Sequence, residues 1–248
     1  MGITMERLLD ALPVLIYLLG VAIEHTWPAR PYPQVRWCKL SCIAFSLGGS
    51  VVAIGSRAAL DAIIGDVHIF DGRSLGLWGI PIAVGGLTLC FYFLHRALLH
   101  KYNWSFRWIH QLHHSAERVD VWGANFGHPF QIVLQACIVA TIMKVMFGFD
   151  HTVVSWTTAV LVFLNTFQHL NIRTPHWVGY FMQRPEAHNI HHQRGVHAFN
   201  YSDLPLWDIL FGTYNNPRSL EAWQVGFHDT ASRQIGAMLL GRDVTIPP

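Results

Sequence analysis

The stretch LGLWGIPIAVGGLTLCFYFL, residues 75–94, decides the fold because it contains twenty consecutive residues without a formal charge. A helix needs about 20 apolar residues to cross the hydrocarbon core of a bilayer. A shorter or more charged stretch would fit equally well in the interior of a water-soluble protein. These residues therefore predict a membrane-spanning helix.

The composition of the whole chain favours the same environment. Hydrophobic residues make up 52% of the 248 residues and charged residues only 13%, about half of the charged share of soluble domains. The formal net charge is +2, and no block of Lys and Arg could follow a phosphate backbone, so nucleic acid binding is not indicated. The cysteines lack CxxC spacing and are expected to be small buried apolar residues: Cys38, Cys42, Cys90 and Cys137.

Four further apolar stretches cover residues 8–23, 40–56, 130–149 and 152–167. The last two are separated only by the region around Gly148 and Asp150, which favours an antiparallel helical hairpin. Together the stretches predict an all-α, multi-pass transmembrane helical bundle with about four to five membrane segments. The alternative is that some are buried helices of a soluble protein; residues 75–94 argue strongly against it, and residues 40–56 and 130–149 only moderately.

The distribution of basic residues predicts the orientation. Lys and Arg follow the first and third stretches, whereas acidic residues dominate the loop after the second. The positive-inside rule places the basic loops in the cytoplasm. Five crossings then put every histidine cluster on the cytoplasmic side, as a histidine-rich helical cap on a bacterial inner membrane or the endoplasmic reticulum.

Sixteen histidines are present, and three clusters contain eight of them: HRALLH at 95–100, HQLHH at 110–114 and HNIHH at 188–192. In HQLHH, spacings of three and four predict that all three side chains lie on one helical face and reach a common centre, and HNIHH repeats the pattern. His95 and His100 would point about 140° apart on an α-helix. They can share a metal only if the helix bends or ends there; otherwise they serve different metals.

Metal binding accounts for these clusters better than a purely structural role. Without a metal, eight neutral imidazoles would leave many buried polar groups to satisfy, and eight protonated ones would repel each other. Each neutral ring can instead donate a nitrogen lone pair to an ion. Eight or more ligands exceed the needs of one ion and predict two. Imidazole suits iron, zinc, copper or nickel, and the ligands alone do not choose among them.

Residues 91–217 resemble the fatty acid hydroxylase/sterol desaturase superfamily of membrane di-iron enzymes. The three histidine boxes occur in the family's order, and GHPF around His128 resembles its His-Pro pair. QHLN at residues 168–171 resembles the family's single histidine before the last box. The segment NYSDLPLWDILFGTY, residues 200–214, resembles its closing segment, including the pair Trp207 and Asp208.

The resemblance implies a set of metal ligands: His95, His100, His110, His113, His114, His128, His169, His188, His191 and His192. Of these, His128 either binds metal or orients another ligand. Asn165 stands where some members have a further histidine, so the ligand there would be an amide, a water or missing. The remaining histidines are expected to be structural, for His176, His197 and His228, or interfacial, for His25, His68 and His151.

The same resemblance implies O2-dependent oxidation of an unactivated C–H bond in a lipid such as a sterol or fatty acyl chain. Hydroxylation is favoured over desaturation, and two Fe2+ ions would be the cofactor, with zinc as a substitute. No GxGxxG fingerprint of a flavin or nicotinamide site occurs, so a separate reductase or small redox carrier is expected to supply electrons. Residues 1–74 would form N-terminal membrane helices, 75–217 the catalytic domain and 218–248 a cytoplasmic tail.

Two functions from other classes stay open. One is a zinc-dependent membrane hydrolase that uses a metal-bound hydroxide, although the common HExxH signature is absent. The other is a non-catalytic metal-binding membrane protein, such as a scaffold or a transporter. A transporter is expected to place polar ligands near the middle of the membrane, whereas these clusters lie at the ends of apolar stretches.

Overall fold

The computed structural model of the chain describes residues 5–33, 35, 38–65, 67–219 and 224–247. Within these residues the regular secondary structure is helical, apart from one antiparallel bridge between Gln193 and Val225. The predicted all-α class is confirmed. In chain order the α-helices are α1 (Met5–Thr26), α2 (Cys38–Ile64), α3 (Gly79–Phe93), α4 (Asn103–Ser105), α5 (Gln111–His114), α6 (Pro129–Ala140), α7 (His151–His169), α8 (Pro185–His191), α9 (Pro205–Leu210) and α10 (Ile235–Leu239).

Short helical turns of other types continue or link these helices. π-Helical turns cover Leu94–His100 after α3, Phe106–His110 before α5 and Thr141–Met146 after α6. Turns of 3-10 helix cover Gly72–Trp78, Val121–Gly123, His176–Tyr180 and Ala231–Arg233.

Four helices in the described part of the chain are long and apolar enough to cross a membrane. They cover Arg7–Thr26, Lys39–Ile64, Gly72–His100 and Pro129–Met146. Large apolar side chains point outward along them, as at Leu19, which is 60% exposed, and Val51, which is 71% exposed. Apolar side chains that face outward on long helices are suited to lipid contact and indicate an integral membrane protein.

The fifth apolar stretch forms α7, which is not among these four. Polar side chains on α7, including Ser155, Thr157 and Gln168, are buried, and the helix packs against α1 and α3. The structure therefore supports the lower of the two predicted numbers of membrane segments. The orientation, which was obtained from five crossings, stays a prediction.

The expected hairpin of the last two stretches is only partly present. A short turn with Gly148 at φ 52° does join α6 to α7, but α6 packs mainly against α2, whereas α7 packs against α1 and α3. A cavity of about 610 Å³ lies between the two helices, with Val139 and Ala140 of α6 and Val154 of α7 in its wall. The short connection led to the hairpin prediction, but α6 and α7 pack against other helices rather than along each other.

Two apolar cores hold the ends of the bundle. One joins α3, the π-helical turn after α6, and α7 through Leu87, Met143 and Val153. The other lies at the histidine-rich end, where Leu112 of α5 and Phe126 pack against four residues of the segment expected to be a tail: Phe227, Ala231, Met238 and Val244. Residues near the C-terminus therefore pack directly beneath the second histidine box.

The cysteines agree with their expected role as apolar residues where the structure describes them. Cys42 is buried, Cys90 and Cys137 are partly buried, and none of the three forms a disulfide with a described residue. The side chain of Cys38 lies outside the described residues.

Glu24 connects the end of α1 to the histidine-rich end of the molecule. Its side chain is only 7% exposed. Its Oε2 atom accepts hydrogen bonds from the backbone N–H groups of Val121 and Asn171, each over 2.8 Å. Val121 follows the second histidine box and Asn171 follows His169 at the end of α7. One carboxylate oxygen therefore fixes two segments that border the clusters.

Replacing Glu24 by leucine is expected to destabilise the protein, because two buried N–H groups lose their acceptor at about 1–3 kcal/mol each. Glu24→Gln keeps an acceptor oxygen and should cost much less. Thermal unfolding of both variants in the same detergent would measure the difference. Equal unfolding temperatures for Glu24→Leu and the wild type would show that these two hydrogen bonds do not stabilise the cap.

Candidate metal centre

Nine histidines converge at one end of the helical bundle and form two groups. The larger group, called site A here, contains His95, His100, His110, His114 and His191. The smaller group, called site B, contains His113, His169, His188 and His192. Within each group one ring nitrogen of every histidine lies within 4.8 Å of the others. These nine are the ligands predicted from the sequence, apart from His128.

A π-helical turn brings His95 and His100 together. Residues Leu94–His100 continue α3 as a π-helix, in which hydrogen bonds join residues five apart. A spacing of five, which separates side chains on an α-helix, therefore places these two rings on the same side. Their Nε2 atoms are 3.2 Å apart. The sequence left open whether the helix bends or ends here or whether the two histidines serve different metals; the helix instead changes type, and both rings join one group.

Each HxxHH box is divided between the two sites. His110 and His114, which are four residues apart, belong to site A, whereas His113 between them belongs to site B. The third box has the reverse arrangement, with His188 and His192 in site B and His191 in site A. The prediction that the three side chains of a box share one centre was therefore wrong. Positions i+3 and i+4 differ by about 100° around a helix, which is enough to face two adjacent ions.

The third box is held in place by a buried arginine at the start of α8. Arg184 is 1% exposed and donates hydrogen bonds to the carbonyl oxygens of Thr174 and Pro217. It also lies 3.1 Å from the carboxylate of Glu186 in the first turn of α8. Pro185 occupies the first helical position, where the absence of an N–H group costs nothing. These contacts fix the direction in which α8 projects its histidines.

Two backbone carbonyls fix the tautomer of two ligands in site A. The Nδ1 atom of His95 lies 2.7 Å from the carbonyl oxygen of Tyr201, and that of His191 lies 2.8 Å from the carbonyl oxygen of Phe199. A carbonyl oxygen only accepts, so each Nδ1 carries the proton. When the rings are neutral, their Nε2 atoms face each other as lone pairs across 3.1 Å. This contact is repulsive unless a cation lies between them.

Protonation does not relieve the repulsion, because the rings are buried. Burial lowers the pKa of six ligands outside the membrane-spanning segments well below the usual value of an imidazole, and neighbouring histidines lower most of these pKa values further. The six are His110, His113, His114, His188, His191 and His192. These rings are therefore neutral at physiological pH and are available as nitrogen donors.

The distances between donor atoms suit metal coordination. Adjacent Nε2 atoms are 2.9 to 3.2 Å apart in site A and 3.1 to 3.3 Å apart in site B. Two nitrogens that each lie about 2.1 Å from one ion and subtend a right angle are about 3.0 Å apart. Both groups consist of histidine alone among the residues that the structure describes. The arrangement therefore fits two metal ions bound by imidazole.

The segment predicted to close the domain supports this centre from outside. The carboxylate of Asp208 accepts hydrogen bonds from the backbone N–H groups of Tyr201 and Ser202, each over 2.9 Å. This holds the carbonyl of Tyr201 against His95. Trp207 donates from its indole nitrogen to the hydroxyl of Thr88 on α3. The Trp-Asp pair thereby attaches residues 200–214 to the helix that carries the first box.

Two histidines lie differently from their expected positions. His128 belongs to neither group; its ring accepts a hydrogen bond from the N–H of Phe130 and caps the start of α6. His197, expected to be structural, lies with its Nδ1 atom 3.1 Å from Nδ1 of His114. Burial lowers the pKa of His197 to about 4, so a neutral ring can accept the proton of a ligand. His197 belongs to none of the three histidine boxes, so its spacing from the other histidines does not predict this contact.

The other histidines lie away from the two sites. The Nε2 atom of His176 lies 3.3 Å from the carbonyl oxygen of Asn216, and that of His228 lies 3.1 Å from the carbonyl oxygen of Val244. The rest are exposed: His25, His68 and His151.

Comparison with known proteins places this centre in a family. The model of the fatty acid hydroxylase family matches residues 80–213. Ornithine lipid hydroxylase OlsE of Rhizobium tropici is 29% identical over 65% of this chain and 48% of that protein. Sphinganine C4-monooxygenase 1 of Arabidopsis thaliana is 27% identical over 54% of this chain and 53% of that protein.

A third relative is named as a decarbonylase rather than as a hydroxylase or monooxygenase. Very-long-chain aldehyde decarbonylase GL1-9 of Oryza sativa subsp. indica is 25% identical over 50% of this chain and 49% of that protein. The chain spans about half the length of the curated relatives it matches. No solved structure matches the chain.

The two groups predict how metal content responds to single substitutions. Wild-type protein purified in detergent is expected to hold two ions per chain, and both His100→Ala and His169→Ala should reduce metal binding, each at a different site. His25→Ala, at an exposed position outside both groups, is the matched control and should keep two ions. His128→Ala should also keep two. Elemental analysis measures the metal content of the wild type and of all four variants, and loss of an ion from His128→Ala would return that residue to the ligand set.

Proposed function

Because the chain belongs to the fatty acid hydroxylase family, we propose that it is a membrane di-iron oxygenase that hydroxylates an unactivated C–H bond of a lipid with O2. The observation that carries this proposal is the pair of histidine groups at the end of a membrane-spanning helix. His95 and His100, both in site A, are among the last residues of the span Gly72–His100.

The residues present suit iron as the resident metal. Sites A and B would each hold one ferrous ion through their Nε2 atoms, and imidazole is a ligand that iron accepts well. When bound, the two ions supply the reduction of O2 and the oxidation of the C–H bond. The chain itself holds the rings in position through the carbonyls of Phe199 and Tyr201, and it excludes bulk water by burying most of the ligands.

The position of the centre supports a lipid substrate. A metal centre that begins where a membrane-spanning helix ends suits an amphiphile whose chain lies in the bilayer and whose head stays near water. Exposed aromatic side chains follow this helix at Tyr102, Trp104 and Trp108, as is typical of the membrane interface. Two relatives are named for reactions on ornithine lipids and on sphinganine, which supports a lipid and favours hydroxylation over desaturation.

The proposed enzyme also needs a defined orientation in the membrane and a source of electrons. Residues 75–217 would form the catalytic unit, and the histidine-rich end would face the cytoplasm. Reduction of O2 requires electrons, which a separate reductase or small redox carrier would deliver from that side. Arg30, in the first of the basic loops that indicate the orientation, donates a hydrogen bond to Asn189 in the third histidine box, which supports this topology.

Lipid profiling of cells that express the wild type or His113→Ala would test the reaction. The wild type should produce a lipid heavier by one oxygen atom than a lipid in control cells, and His113→Ala should abolish it because site B loses a ligand. The exposed His25→Ala variant should keep the product. A product lighter by two hydrogen atoms would identify a desaturase instead, and unchanged lipids with metal-loaded protein would contradict the oxygenase.

The identity of the metal provides a separate test. Protein purified without O2 is expected to contain iron, and protein stripped of metal should recover turnover with Fe2+ but not with Zn2+, because Zn2+ has no redox chemistry. Turnover should also stop when O2 is removed. Two zinc ions per chain with turnover that does not need O2 would contradict the proposal and support a zinc-dependent hydrolase.

A further inference from the structure

The two sites differ in how the protein supports the outer nitrogen of each ring. In site A, four of the five Nδ1 atoms have a partner: Tyr201 O for His95, Gln131 Oε1 for His110, His197 Nδ1 for His114 and Phe199 O for His191. The partner distances are 2.7 to 3.1 Å. Three of these partners belong to residues 197–201, so one short loop orients three of the five ligands of site A.

Site B has weaker support. The Nδ1 atom of His169 lies 2.7 Å from the carbonyl oxygen of Asn165. The Nδ1 atoms of His188 and His192 are buried but meet no hydrogen-bonding group in the part of the chain that the structure describes. Both side chains are only 2% exposed. Among the described residues, two of the four ligands of site B therefore have no protein group that fixes their tautomer.

This difference has a direct consequence for metal affinity. A neutral imidazole binds a metal through Nε2 only when its proton is on Nδ1, and an acceptor beside Nδ1 selects that tautomer and orients the ring. For His188 and His192 no such acceptor excludes the tautomer that cannot bind through Nε2. Loss of an outer partner typically costs 10- to 100-fold in metal affinity. Site B also has four ligands, whereas site A has five.

We propose that the two sites hold their metal ions unequally: site A retains its ion, whereas the ion of site B exchanges. This inequality rests on the proposed metal centre but not on the reaction, so it holds for either iron or zinc. A half-loaded protein with one ion in site A is the expected intermediate of both loading and stripping.

The proposal assigns a positioning role to Gln131 in α6. Its Oε1 atom lies 3.0 Å from Nδ1 of His110 and is the only side-chain amide among the four outer partners of site A. Substitution by leucine removes the acceptor at similar size. Substitution by glutamate keeps an acceptor and forms the carboxylate–histidine–metal arrangement that supports many metal sites. Gln135, one turn further along the same helix, offers a matched control.

The test is the metal content of detergent-purified protein loaded with Fe2+ without O2 and dialysed against increasing concentrations of a chelator. The wild type should lose metal in two steps, separated by about tenfold or more in chelator concentration, with a plateau at one ion per chain. His188→Ala should weaken or remove only the early step. Gln131→Leu should shift the late step about tenfold toward lower chelator, and Gln131→Glu and Gln135→Leu should not.

Three results would overturn the inequality. Both ions could leave the wild type in a single step, the retained ion could be lost from His188→Ala but kept in His191→Ala, or Gln131→Leu could leave the late step unchanged. Thermal unfolding in the same detergent shows whether Gln131→Leu is folded, and if it is not, the comparison of His188→Ala with His191→Ala still decides. Protein that takes up no metal would instead refute the proposed metal centre itself, so the two failures are distinguishable.

Discussion

The rest of the structure depends on nine Nε2 atoms that face one another in a space from which water is largely excluded. Neutral imidazoles whose outer nitrogens donate to carbonyls, as in His95 and His191, present only lone pairs to the interior. Lone pairs about 3 Å apart repel each other, so the apoprotein must hold its ligands together against their own electrostatics. The dense polar packing outside the rings, including the buried side chains of Glu24, Arg184 and Asp208, provides that restraint.

The helices are adapted to the same requirement. Membrane-spanning helices favour regular α-helical hydrogen bonding, whereas a metal centre requires side chains at particular angles. The chain reconciles the two by changing from α- to π-helix at Leu94–His100, where the span ends, and again at Phe106–His110, which ends on the first histidine of the second box. A π-turn continues the helix with hydrogen bonds between residues five apart and rotates the side chains that follow. The histidine side chains therefore reach the angles that a metal centre requires without a break in the helix.

The sequence was sufficient to identify the residues that converge but not to divide them between two sites. Spacing shows that HxxHH histidines share part of a helix surface, but whether i+3 and i+4 face one ion or two depends on the opposing helices. The contact of His197 with His114 depends on a loop in which His197, Phe199 and Asn200 have positive φ, and no local pattern predicts it. For α7, the apolar stretch was visible, but its burial against α1 and α3 follows from tertiary packing.

Each of the two HxxHH boxes contributes to both sites, and this arrangement links the two sites mechanically. A shift of α8 that moves His191 in site A also moves His188 in site B, since both project from two turns of one helix. The loop at residues 197–201 restrains this motion from the side of site A alone. Left-handed conformations at non-glycine residues cost about 1–3 kcal/mol each, and the side chain of Asn200 offsets part of that cost through hydrogen bonds to the carbonyls of Ala187 and Asn215. The loop therefore accepts a cost in backbone conformation where the ligands of site A need fixed carbonyls. It does not restrain the ligands of site B in this way.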